Sequence, residues 1–165
     1  MAQPTNTQFA VGVHLLTLLA GAPGAWQDSQ SLAGSPATNA AHVRRILGRL
    51  RAAGLVRSQP GPHGGWMLER EPADIDLSLI WLAVNGEDPV LGVHAPAPDC
   101  EVGQRVHHNL HALDRRAREA LLDELARTTV ADVLGGESTP AATAPAATAP
   151  AATAAMATAP ATAAG

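Results

Sequence analysis

Lysine and tyrosine are absent from this 165-residue chain, cysteine occurs once, and the only aromatic rings besides histidine are Phe9, Trp26, Trp66 and Trp81. Each shortage excludes something. With Cys100 alone, no intramolecular disulfide can form, nor can an all-cysteine metal site within one chain. So few rings mean a core of Leu, Val, Ile and Ala, a set that suits helices better than a large sheet. Without lysine, every strongly basic side chain is an arginine, and a guanidinium favours two-point hydrogen bonding to phosphates or guanine edges. Long hydrophobic runs are missing too. The stretch 9–20 is apolar but too short to span a membrane. It also holds His14 and has no basic residue before it, so it does not read as a signal peptide. These features predict a cytoplasmic protein with no membrane partner.

What is present is unevenly spread. The net charge is −4, which alone argues against nucleic acid. Yet residues 34–70 hold Arg44, Arg45, Arg49, Arg51, Arg57 and Arg70 against Glu69 alone, a local balance of +5 that leaves −9 elsewhere. A positive face on an acidic protein can still grip phosphates.

Apolar periodicity organises the chain. Phe9, Val13, Leu16 and Ala20 share one face of a helix predicted over 7–20, closed by "GAPG". A short helix follows within 28–39, capped by Asp28 or Ser29 and stopped by Gly34, Ser35 and Pro36. Thr38 or Asn39 then caps a helix over about 40–53, with Val43, Ile46, Leu47 and Leu50 on one side and arginines on the remaining surface. Two short helices joined by a tight turn, the second basic and amphipathic, make a helix-turn-helix. "LVRSQ" (55–59) and "WMLER" (66–70) are strand candidates, and "PGPHGG" between them is a hairpin turn, with Gly64 expected at positive φ. A hairpin directly after a recognition helix is a wing.

The periodicity also predicts a helix over 74–86 with Ile75, Leu79, Leu82 and Ala83 on its apolar side, and then a Pro/Gly-rich loop over 87–99. The longest periodic segment runs from Glu101 to about Arg127. Its stripe includes Val102, Val106, Leu110, Leu113, Ala117 and Leu121, and a helix that outruns so small a domain calls for a partner, most simply the same helix of a second chain. "TTVADVLGG" (128–136) adds a short capped helix. From Thr139 onward a repeated Ala-Ala-Thr-Ala-Pro unit without charge or ring predicts a disordered tail. The expected organisation is a DNA-binding domain over 1–86, a sensor loop over 87–100, a dimerisation helix and short terminal helix over 101–136, and the tail over 137–165. The fold class is mainly α with a small β-hairpin: a winged helix-turn-helix plus a long C-terminal dimerisation helix.

Several motifs together resemble one family. "VHLLTLLA" in the first helix, "VRRILGRLRAAGLVRS" across the recognition helix, "GPHGGWML" in the wing, "IDLSLIWLAVNGED", and "CEVGQRV" opening the long helix stand in order and at matching spacing. On these, residues 7–133 are similar to the Rrf2 family of bacterial winged-helix transcription regulators. The resemblance implies a homodimer on a pseudo-palindromic double-stranded operator, usually as a repressor, with sensing in the loop before the dimer helix. Members that hold an iron–sulfur cluster there use three cysteines. With Cys100 alone the chain resembles the cluster-free branch, so no cofactor is expected. Some members carry an arginine just before the wing glycine. Here Pro60 stands in that position, and His63 is the candidate substitute.

On the recognition helix, Arg44, Arg45 and Arg49 are candidate DNA contacts, but residues 44 and 45 are about 100° apart, so one reads bases while the other holds phosphate. Asn39, Ala41 and His42 at the helix start are further base-reading candidates, and Ser35 and Thr38 are phosphate candidates. Cys100 opens the long helix, where unpaired amides stabilise a thiolate while Asp99 and Glu101 oppose it, making it a candidate thiol or oxidant sensor. His107 and His111 share a helix face at a spacing that can bind zinc, with His108, His94 and Cys100 nearby in sequence. The plainer reading is a polar helix flank with no metal. His14 reads as a core histidine hydrogen-bonded within the domain. No Gly-x-Ser-x-Gly, phosphate-binding loop or paired carboxylates point to an enzyme, and "GPHGGW" is too short for a dinucleotide fingerprint. The rival readings are a winged-helix adaptor that binds protein and a metal-responsive His/Cys sensor.

Overall fold

A computed structural model describes residues 7–136. The expectation of a disordered tail lies outside these residues. Helix α1 (Thr7–Ala20) turns Leu15, Leu16, Leu19 and Ala20 inward. Helix α2 (Ser29–Gly34) begins at Asp28, whose carboxylate accepts from the amides of Gln30 and Ser31. Helix α3 (Ala40–Ala52) begins at Asn39, whose side-chain oxygen accepts from His42 N at 2.8 Å. In each case a short polar side chain satisfies amides that the helix cannot. The turn between α2 and α3 passes through Ala37 at φ 49°, the one non-glycine with positive φ among the described residues.

Val43, Ile46, Leu47 and Leu50 of α3 are fully buried against α1 and α4 (Leu77–Asn85). Fully burying each such side chain contributes about 1.5–3 kcal/mol, so this single face anchors the small domain. Strands β1 (Val56–Gln59) and β2 (Gly65–Leu68) form an antiparallel hairpin with Val56 opposite Leu68 and Gln59 opposite Gly65. Gly61 supplies the positive φ of the turn, 109°, where a side chain would be strained. The hairpin is sewn to the segment before α2 by paired backbone bonds between Gln27 and Trp66, and Trp66 Nε1 donates to Ser29 Oγ at 3.0 Å.

The helix expected over 74–86 is shorter than the periodicity suggested. Pro72–Asp74 form one tight turn, and α4 starts only at Leu77. Asp76 caps it by accepting from the amides of Ser78 and Leu79, while Ile75 is extended and fully buried ahead of it. Ile80 and Val84 are the buried residues of α4, whereas Leu82 faces outward. Helix α5 (Glu101–Leu125) follows, then α6 (Val130–Gly135), entered through a capping box between Thr129 and Asp132. Backbone bonds from Leu77 N to Thr128 O and from Val130 N to Ile75 O tie the chain's last described helix to the start of α4. Among the described residues no helix is long and apolar enough to cross a membrane.

Candidate nucleic-acid interface

The basic stretch separates into two groups once its side chains are placed. Arg51 donates to Ser58 Oγ at 2.9 Å and lies 6.0 Å from the Trp66 ring centre. Arg57 sits 5.5 Å over Trp26 and 3.7 Å from Glu69, and Arg70 donates to the Gly54 carbonyl. These three brace the wing against the helices. Arg44 and Arg45 are exposed and have no ion pair among the described residues. Arg44 Nε donates to the Ala40 carbonyl, and Arg45 lies 3.4 Å from His42 Nδ1, so both stay on the outer side of α3. Ala41 shares that exposed side, and an added Cβ at Gly48 would meet nothing within 4 Å. The outer surface of α3 is therefore open, small and cationic.

Arg49, expected at the groove, is exposed as well but is bonded to other segments of the domain. Its Nη1 donates to the Val84 carbonyl at 2.6 Å and to Gln8 Oε1 at 2.7 Å. Position 49 lies on the edge of α3 that meets α1 and α4, and the last carbonyls of a helix attract a cation there. Gln8, missed from sequence, completes that clamp, and only the partner's identity would have signalled it. The Ser35 hydroxyl is bonded to His14 Nε2 at 2.8 Å, so it already has a partner within the domain. His14 itself is half-buried rather than central to the core. Thr38 is half-buried, Asn39 is exposed and spends its side chain on the cap, and His63 is exposed at the wing tip. Gly64 is not at positive φ, contrary to the expectation from the turn. Its constraint is steric, because a Cβ there would run into the Gln59 carbonyl across the hairpin.

Farther along, Cys100 is exposed and caps α5, its Sγ accepting from Gly103 N at 3.3 Å. On the expected stripe, Val102, Val106 and Leu113 are 63%, 43% and 44% exposed, while Leu110, Ala117 and Leu121 are half-buried. The other side of α5 docks on the domain through two groups that periodicity did not single out. The buried Asp114 accepts from Leu91 N at 2.7 Å, and Arg118 donates to the Gly86 carbonyl at 2.6 Å. Their signal was a charged pair four apart beside the apolar stripe. His107 and His111 are hydrogen-bonded, their Nε2 atoms 3.0 Å apart, with His108 and His94 exposed.

An open cationic helix behind a capped turn, with a braced hairpin beside it, is the geometry of a groove reader. The Rrf2 family model, described as an iron-dependent transcriptional regulator, matches residues 5–136. The chain belongs to the Rrf2 family. It is 32% identical over 130 residues to the HTH-type transcriptional regulator YwnA of Bacillus subtilis, covering 78% of this chain and 96% of the relative. Among solved structures, CymR, the global cysteine regulator of B. subtilis, matches with TM-score 0.58 and 26% identity over 82% of this chain and 98% of that one. T. potens IscR matches with TM-score 0.57 and 25% identity over 84% and 90%. This Rrf2 protein is thus a DNA-binding transcription regulator with a winged-helix fold, in a family that is not enzymatic. The family's description names iron. Among the described residues no three His, Cys, Asp or Glu side chains converge on one point, and the single thiol cannot supply a cluster's ligands.

Proposed function

We propose that this Rrf2 protein is a homodimeric repressor that binds a pseudo-palindromic operator and holds no iron–sulfur cluster. The observation that carries the DNA reading is that Arg44 and Arg45 stand exposed on the open side of α3 with contacts only within their own helix, while Arg49, Arg51 and Arg70 are hydrogen-bonded to other segments of the domain. Two exposed guanidinium groups on the open side of one helix suit an external anion such as phosphate. One of them meets a guanine edge and the other a phosphate, with His63 near the minor groove. The dimer reading is supported by the exposed Val102, Val106 and Leu113 on one side of α5, since such a stripe is costly to leave in water. Two copies joined through α5 present two recognition helices to half-sites of one operator.

Cys100 is the proposed thiol switch. Peroxide converts its thiol to a sulfenic acid and releases water, and the added oxygen crowds Gly103, whose amide the sulfur now accepts. A solved relative, Staphylococcus aureus CymR in its oxidized form, matches with TM-score 0.58. The test is operator selection from random DNA followed by fluorescence anisotropy in graded salt. A palindromic site bound with a steep negative log-salt slope supports the reading. A flat slope or no selected site sinks it. Equal binding before and after mild peroxide, with Cys100 shown to be modified, removes the thiol switch alone.

A further inference from the structure

We propose that the cavity between the start of α1, the end of α4 and the loop that follows it binds a small zwitterion of the α-amino-acid class. Its volume is about 480 Å³, within the range of small-molecule sites. Arg49 and Asp88 line it, together with the apolar surfaces of Trp81, Val84, Pro89 and Val90. No ion pair joins Arg49 to Asp88, since the ion pairs among the described residues lie elsewhere. One cation and one anion facing the same space suit a ligand that carries both signs. A dianion would meet Asp88 unfavourably, and a polyamine would meet Arg49 unfavourably. The apolar wall then takes a large aliphatic, thioether or aromatic side chain.

The ligand has a route to the DNA-binding surface. Arg49 also lines a small cleft with His42 and Arg45 on the edge of α3. Its bonds to Val84 and Gln8 hold that edge in place. A ligand carboxylate that draws Arg49 toward the cavity weakens both bonds and lowers operator affinity. This regulatory half rests on the DNA-binding reading above, whereas binding itself does not.

The test is calorimetry on the full chain without DNA, with each proteinogenic L-amino acid as probe. At least one with a large apolar side chain should bind. Isocaproate, which lacks the amine, and isoamylamine, which lacks the carboxylate, should each bind at least about tenfold more weakly than L-leucine if leucine is a ligand. Asp88→Asn should remove the preference for the amine yet bind operator like wild type in the absence of amino acid. Val90→Trp should block the cavity. No heat with any amino acid, or undiminished binding by Val90→Trp, overturns the site. Amino-acid binding that leaves operator affinity unchanged overturns the regulatory half. A protein that binds amino acid but no DNA refutes only the operator reading.

Discussion

Arg45 and Arg49 differ by one helical turn and do opposite work. Both are exposed and have no ion pair among the described residues, but Arg45 contacts only His42 of its own helix, whereas Arg49 donates to the Val84 carbonyl at the end of α4. Arg44→Ala or Arg45→Ala should therefore cost about 1–3 kcal/mol in operator affinity for the guanine-reading member, with melting unchanged. Arg49→Ala should instead lower thermal stability by about 1–3 kcal/mol, by leaving the Val84 carbonyl and Gln8 without their donor. Thermal melts and anisotropy titrations on the same variants separate the two roles. Equal effects on both measurements would refute the division. The caps titrate as well. Hydrogen bonds from the Ser31 hydroxyl and the amides of Ser31 and Gln30 hold the Asp28 carboxyl below its ordinary value, and Thr129 does the same for Asp132. A carboxyl depressed in the folded state adds stability above its unfolded value, and that contribution fades as pH falls through the folded one. The urea midpoint of wild type should exceed that of Asp28→Ala near neutrality and converge with it below pH 3.8, the ordinary value for the group. A gap that persists in strong acid would show that the cap's charge is irrelevant.

The elements were largely legible because capping and periodicity are local. Helix α1 was read to the residue, and Asn39 and Asp28 lay at the expected caps. The start of α4 was not, because Ile75 matches the helical period yet is buried from an extended segment held by Val130 N. That long-range bond leaves no local trace. The wing was visible from its glycines, but the reason for Gly64 was not, since steric contact across a hairpin depends on register. Gly64→Val should disorder the hairpin and weaken operator binding. Gly65→Ala should do the same, because a Cβ there meets the Gln27 backbone. A well-formed hairpin by amide exchange in both variants would contradict this. On α5, Leu113→Glu should give a monomer in sedimentation and remove specific DNA binding while the domain stays folded. A Leu113→Glu protein that still sediments as a dimer would exclude this stripe as the interface.

At the scale of the molecule, sequence order alone indicated a winged helix-turn-helix followed by a long helix, and the net charge concealed its basic face. What stayed hidden were contacts between distant segments: Arg49 with Val84, Asp114 with Leu91, and Arg118 with Gly86. Each pairs a side chain with a backbone group, and a backbone group carries no sequence signature. The last two pin α5 to the domain near its middle, and this has a mechanical consequence. A helix of 25 residues is a rigid rod about 37 Å long. In the proposed dimer, a tilt of about 10° about that midpoint moves each end by about 3 Å, close to the roughly 3.4 Å rise of one base pair along a strand. In that proposed pair, such a rotation would carry the reading heads by about one step of the double helix.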